Sequence, residues 1–370
     1  MSTWPEGRAV VDATGAYTTT YGKTAHGLVR RSERYDVSAV LDPRFAGQDA
    51  GTVLDGRANG IPVLATLDDA LGAAAAAGAP LTHYVVGVAT DGGKLPPVMR
   101  ATVEAALRAG LHVVCGLHQF LGEDEELAAL AAARGVTLTD VRRPPHRRDL
   151  HFFDGRIEQV DSLKVALLGT DSAVGKRTTA WVLVDAYRRA GLRAELVGTG
   201  QTAWLQGARF SLVLDSLVND FVAGEIEHAV WSCWRETSPD VIVLEGQGSL
   251  MNPAYPGGHE LLAAGRPDAV ILQHAPARRE YDGFPGYPLH DLPTQIRAVE
   301  LLSGRPVVGV TVNHEDLAPE QVPAACAEIT AATGLPAVDA LRDGMEPILE
   351  ALAPHLAAAG ARRRTGGGHA

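Results

Sequence analysis

The chain has 370 residues, of which 46% are apolar and only 5% aromatic, and a formal net charge of −11. That length points to two domains, and a core built from Ala, Val and Leu suits α/β packing. The negative balance argues against a broad nucleic-acid surface. With no apolar run long enough to cross a bilayer and no signal pattern in residues 1–6, a cytoplasmic protein without a membrane partner is expected.

Residues 8–14 read as a first buried strand, followed by a turn and a helix near Arg30. In that turn Gly22, Lys23 and Thr24 mimic a phosphate loop. Tyr17 stands where the first glycine belongs, so a helix-start role is preferred. Further strands are predicted at 35–41, 61–65, 83–88, 112–115 and 137–140, with helices at about 67–77, 98–108 and 123–134. Alternating strands and helices imply a parallel sheet covered on both faces, a Rossmann-like layer. The first turn lacks G-x-G-x-x-G, so a nicotinamide cofactor is not supported. Arg142, Arg143, Arg147 and Arg148 flank two prolines, which stop helix and strand alike. An exposed linker is placed there, running to about Ser162.

The second half opens on Leu167 to Thr179. An apolar strand at 163–169 runs into a glycine-bounded turn, a lysine, two threonines and a helical pattern over 180–189. Strand, Gly-rich turn, lysine and hydroxyl at a helix start make a phosphate cradle. The candidate phosphate contacts are Gly169, Thr170, Asp171, Ser172, Ala173, Val174, Gly175, Lys176, Arg177, Thr178 and Thr179. Five residues separate Gly169 from Gly175, one more than in the common pattern, and Arg177 stands where Ser or Thr normally follows the lysine. Thr178 or Thr179 must then supply any metal-holding hydroxyl.

Later strands are predicted at 194–198, 211–214, 241–245, 269–274, 307–312 and 337–340. A helix is predicted at 221–235 with Asn219 and Asp220 capping it, and a disordered tail at 361–370. The expected domains are therefore 1–150, Rossmann-like, and 151–360, a P-loop domain with a mainly parallel sheet. Cys115, Cys233 and Cys326 are far apart and read as buried apolar residues.

Ligands gather at the carboxyl ends of parallel strands, and the residues there form a set. Glu245 ends an apolar strand before a glycine and is placed to accept from a metal-bound water or to act as a general base. Thr178 and Glu245 are the candidate metal residues. Lys176, Glu245 and His274 are the candidate catalytic residues, and Asn313 could read a nucleotide base. Gln201, Thr202, Asp220, Gln247 and Arg279 are taken as substrate contacts. Arginine in the Pro-rich loop 275–293 would suit a carboxylate.

Several motifs carry a resemblance. They are Gly169 to Thr179, Gly198 to Thr202, Asp220 to Gly224, Glu245 to Tyr255, and in the first half Gly22 to Arg30 and Asp49 to Gly56. Together they resemble a bacterial and archaeal family long known only as a domain of unknown function, whose characterised members are D-glutamate N-acetyltransferases. The resemblance spans nearly the whole chain and implies the same two-domain plan. The cradle alone also resembles dethiobiotin synthetase, an enzyme using ATP and Mg²⁺; Arg177 and the extra N-terminal domain depart from it.

Two chemistries follow. The family resemblance implies an acyl-CoA-dependent N-acyltransferase, with acetyl-CoA held by its phosphates and a small acidic amino acid, D-glutamate-like, as acceptor. The lysine, threonine and strand-end glutamate by themselves favour ATP with Mg²⁺, in a ligase or kinase activating a carboxylate. A nucleotide-binding regulator without turnover is the third class. Self-association is expected by analogy with P-loop enzymes of this kind.

Overall fold

The computed structural model describes residues 5–366. The chain separates into two units. The first takes the chain to Pro144 and adds Gln201–Gly207; the second takes Pro145–Gly200 and continues from Ala208.

The first unit alternates β1 (Gly7–Asp12), α1 (Lys23–Arg30), β2 (Tyr35–Leu41), α2 (Ala50–Asp55), β3 (Val63–Leu64), α3 (Leu67–Ala76), β4 (His83–Val86), α4 (Pro97–Arg108), β5 (His112–Cys115), α5 (Glu125–Arg134) and β6 (Leu138–Asp140). Its strands are all parallel, in the order β3-β2-β1-β4-β5-β6, which is the Rossmann arrangement. Local chemistry sets the helix starts. Thr66 and Asp69 form a reciprocal capping box, and Asp124 accepts from the N–H of Leu127.

The first strand–helix turn carries no dinucleotide fingerprint. Instead Tyr17 lies fully buried there. Its hydroxyl donates to Ala50 O at 2.8 Å and its N–H to Asp42 Oδ2 at 3.2 Å. Asp12, at the end of β1, is also buried and accepts from the Tyr84 hydroxyl; burial pushes its carboxyl above the ordinary range. α1 begins at Lys23, so Gly22, Lys23 and Thr24 do make a helix start.

The second unit contains β7 (Leu163–Gly169), α6 (Lys176–Arg189) and β8 (Ala194–Gly198), then, after α7 (Gln201–Gln206), which belongs to the first unit, β9 (Phe210–Ser211), α8 (Asn219–Thr237), β10 (Val241–Glu245), α9 (His259–Ala264), β11 (Ala269–His274), α10 (Leu292–Ser303), β12 (Val307–Val312), α11 (Val322–Thr333), β13 (Ala337–Val338) and α12 (Glu346–Gly366). Its strands are also all parallel, ordered β13-β12-β11-β7-β10-β8-β9. β7 is central and buried along its whole length, which is why it reads as an apolar run rather than an alternation. Its one charged residue, Lys164, donates to Val160 O at 3.3 Å and stands 3.8 Å from Asp268; burial lowers its pKa.

The single cut near residue 150 gives way to a different division. α7 belongs to the first unit, where Leu205 packs in one core with Val11 and Leu28. Gln206 donates to Gly27 O at 2.7 Å, and the Arg34 guanidinium lies 3.7 Å from the Trp204 ring.

The segment after Pro145 is clipped to α8. Glu225 accepts from the N–H of His151 at 2.7 Å, and Glu227 accepts from those of Asp154 and Ile157 at 2.8 and 3.1 Å. Gly224 lets it lie close: a Cβ there would stand 2.0 Å from His151 O.

Other expectations need correction. Arg142 is buried and donates to Gly116 O at 2.7 Å, so it is not an exposed linker residue. α8 starts at Asn219 with Val218 as its cap, so Asn219 and Asp220 sit in its first turn rather than before it. The strand expected at 211–214 is β9, because Leu214–Ser216 turn into a 3₁₀ helix. α12 continues to Gly366, so the expected disordered tail begins as helix; residues 367–370 lie outside the described ones. The three cysteines are buried. No helix among the described residues is long and apolar enough to cross a membrane.

Candidate functional site

β7 ends at Gly169, and the chain returns as α6 at Lys176. Between them Ala173 has φ 52° and Gly175 has φ 97°, both left-handed. That conformation curls the backbone so that successive N–H groups and the positive end of α6 share one concavity. Lys176 is buried. Its Nζ donates to Asp171 O and to Gly248 O, each at 2.7 Å.

Asp171 anchors the loop and is fully buried. Its Oδ1 accepts from Asn252 Nδ2 at 2.8 Å and Ser172 N–H at 2.7 Å; its Oδ2 accepts from Arg278 at 2.9 Å and Asp282 N–H at 2.8 Å. Arg278 in turn clasps Glu315 with two hydrogen bonds of 3.1 and 2.8 Å. The far side of the loop is held by Asn313, whose Nδ2 donates to Val174 O at 3.1 Å. Beneath it the Gln273 Oε1 accepts from the Thr179 and Thr311 hydroxyls at 2.7 and 2.6 Å. Thr170 pairs with His274 Nδ1 at 3.0 Å.

Glu245 closes the other flank, at the end of β10 in register with Leu167 of β7. It is buried, and its Oε2 accepts from Thr199 N–H at 2.9 Å. Burial pushes its carboxyl up; Arg177, the Thr199 and Gly200 amides and Lys176 pull it back without cancelling the rise. His274 moves the other way. Burial, helped by the charge of Arg279, pushes it down to about 4, so its imidazole is neutral near pH 7.

A pocket of about 480 Å³ opens next to the loop, lined by Met251, Pro253, Tyr281, Tyr287, Pro288, Leu289, His290 and Asp291. Asn252 and Asp282 adjoin its two walls, and both bind Asp171. One carboxylate of the phosphate loop thus ties down both sides of an apolar pocket. Within it the Tyr281 hydroxyl lies 2.7 Å from His290 Nδ1.

The structure therefore gathers Gly169 to Thr179, Glu245, His274 and Asn313 in one place. Gln247 lies beside Gly200, where a Cβ would meet its Nε2 at 2.6 Å. Arg279 is exposed and acts on His274 through its charge. Gln201 and Thr202 fall in the first unit, Thr202 Oγ1 lying 3.3 Å from Thr24 Oγ1. Asp220 is exposed on the first turn of α8. Sequence reasoning missed the anchoring by Asn252, Asp282 and Glu315. Asn252, a lone amide ahead of Pro253 in the motif after Glu245, carried a usable signal.

A Rossmann-like unit and an all-parallel unit whose central strand feeds a phosphate loop define a two-unit α/β protein of the P-loop class. Family models agree. The chain matches the domain of unknown function DUF1611, its C-terminal P-loop domain over residues 151–349 and its N-terminal Rossmann-like domain over residues 43–144. The protein belongs to the DUF1611 family. It is 35% identical over 277 residues to a D-glutamate N-acetyltransferase of Tritonibacter scottomollicae, covering 73% of this chain and 80% of that one. It is 30% identical over 272 residues to a D-glutamate N-acetyltransferase of a Pseudoalteromonas species, covering 72% and 80%. The crystal structure of a DUF1611 protein from Anabaena variabilis superposes with a TM-score of 0.85 at 30% identity, over 94% of this chain and 99% of that one.

Proposed function

We propose that the protein is an N-acyltransferase that takes an acyl group from a coenzyme A thioester and places it on the amine of a small acidic amino acid, D-glutamate or a close analogue. The names of the two relatives support the reaction class and acceptor. The observation that carries the donor is the double tether of Asp171. It ties the phosphate loop to the neighbouring pocket, an arrangement suited to a ligand with a phosphate group and a long, uncharged arm extending from it. Ser249, whose Oγ is buried without a hydrogen-bond partner, follows Gly248 at the lysine's contact and offers one more polar group to such a ligand.

When bound, the donor would supply a thioester carbonyl that an amine can attack, the C–S bond breaking as the C–N bond forms so that coenzyme A leaves as its thiol. The loop amides and Lys176 would hold its phosphates, and Lys176 would exchange its two backbone carbonyls for them. An amino acid arrives as its ammonium form, and only the neutral amine attacks. Glu245 is the proton acceptor of this reading, because burial raises its proton affinity, the direction a general base needs. His274, kept neutral, holds Thr170 at the mouth of the loop.

The test is direct. Purified protein, incubated with acetyl-CoA and either D- or L-glutamate, is assayed by mass spectrometry for the N-acetyl product, with ATP–Mg²⁺ replacing the thioester in a parallel arm. Product from the thioester arm supports the proposal. A phosphorylated or ligated product from the ATP arm alone would replace it with the carboxylate-activating reading.

A further inference from the structure

P-loops that use nucleoside triphosphates hold Mg²⁺ through the hydroxyl of the residue after the lysine, opposite a strand-end carboxylate. The residues here do not fit that arrangement. The residue after Lys176 is Arg177, on the first turn of α6, and α6 packs on β10, whose last residue is Glu245. Burial raises the Glu245 carboxyl, and the charge of Arg177 opposes that rise. Of the two threonines that follow, Thr179 gives its hydroxyl to Gln273, which is itself locked by Thr311. Thr178 is offset from Arg177 by one residue, roughly 100° around the helix.

We propose that Arg177 stands in for the metal: this loop grips its phosphate ligand without Mg²⁺, with one guanidinium and one ammonium as the counter-charge. Arg177 is then a specificity-determining residue. The diphosphate bridge of coenzyme A, apart from the 3′-phosphate elsewhere on that molecule, is a diester of modest charge, matched by Lys176 and Arg177 together. A nucleoside triphosphate is more heavily charged and customarily brings its own magnesium, whose usual hydroxyl ligand is replaced here by Arg177. Glu245 is also left free of metal duty and able to take a proton. This inference rests on the phosphate loop being the cofactor site proposed above.

Isothermal titration of the full chain with coenzyme A, in excess EDTA and then in excess Mg²⁺, tests it. The dissociation constant should agree within about two-fold between the two conditions. Arg177→Ser should weaken binding by about ten-fold or more in EDTA and regain part of it with Mg²⁺, because a hydroxyl is restored. Arg177→Lys, which keeps the charge, should bind metal-free with a smaller loss and guards against a folding artefact in the serine variant. Coenzyme A binding only with Mg²⁺ would overturn this inference while leaving the thioester reading intact. Binding of ADP–Mg²⁺ with none of coenzyme A under either condition would overturn both.

Discussion

The Nζ of Lys176 stands 2.7 Å from the carbonyl oxygen of Gly248, and the same distance from that of Asp171. Two of the contacts that hold the lysine of the phosphate loop are thus neutral backbone acceptors, which an anion can outbid. Lys176→Ala should lower affinity for coenzyme A by roughly 10- to 100-fold, the weight of a charge-assisted contact of about 1.5–3 kcal/mol. Calorimetry reads the loss, and an unchanged circular dichroism spectrum shows that the fold survives. Full-strength binding by the variant would remove the loop from the site.

Asp171 and Arg278 form a buried ion pair, with side chains 0% and 8% exposed. Asp171→Asn would leave the guanidinium facing a neutral amide in a low-dielectric place and, since the amide keeps only one acceptor oxygen, loosen one wall of the pocket. A destabilisation of about 3–5 kcal/mol is expected, read as a lower midpoint in urea. Because the Asp282 N–H, or in the flipped amide Asn252, loses its acceptor, the KM for the donor should rise in parallel. A variant as stable as the parent would show the pair to be dispensable.

His274 sets a pH dependence whose sign is fixed. Its folded pKa is depressed to about 4 from the ordinary 6.5. The unfolded chain therefore binds the extra proton first as the solution is acidified. The associated stability is complete above about pH 6.5 and is lost as pH falls through about 4, up to about 3 kcal/mol. His83 in the first unit, pushed down to about 4 by burial and by His112, acts in the same direction. His274→Gln should flatten the stability–pH curve between these limits without removing the share due to His83. Urea midpoints across that range decide it.

Gly224 separates two opposing effects. On an isolated helix, Gly→Ala gains about 1 kcal/mol. Here a methyl would press 2.0 Å from His151 O and close to the Phe152 backbone. Gly224→Ala should therefore lower stability and speed proteolysis around residues 150–157. A raised melting temperature would mean that the segment yields without loss.

The phosphate loop was legible because few structures use an apolar strand, a glycine-bounded turn and a lysine in that order. Even its extra residue left the reading intact. The same runs of Val, Leu and Ile that announced β7, β10 and β11 announce strands buried on both faces. What could not be read were partnerships across long separations. Nothing local tells that Arg278, in a loop rich in proline, gives its guanidinium to Asp171 and Glu315 rather than to a substrate. Nor does the apolar face of α7 say which core it enters. Gln201 and Thr202 follow a strand end of the second unit in sequence, yet their helix is packed in the first.

That helix makes the N-terminal layer discontinuous in the gene. A polypeptide stopped at residue 150 would lack the Trp204 ring and carbonyl on which Arg34 rests and the Leu205 that completes the core around Val11. Transplanting the layer onto another protein would take two grafts rather than one. The same split warns against truncation as a way of assigning roles to the halves, since the shorter fragment would enter the test already missing a piece of its own interior.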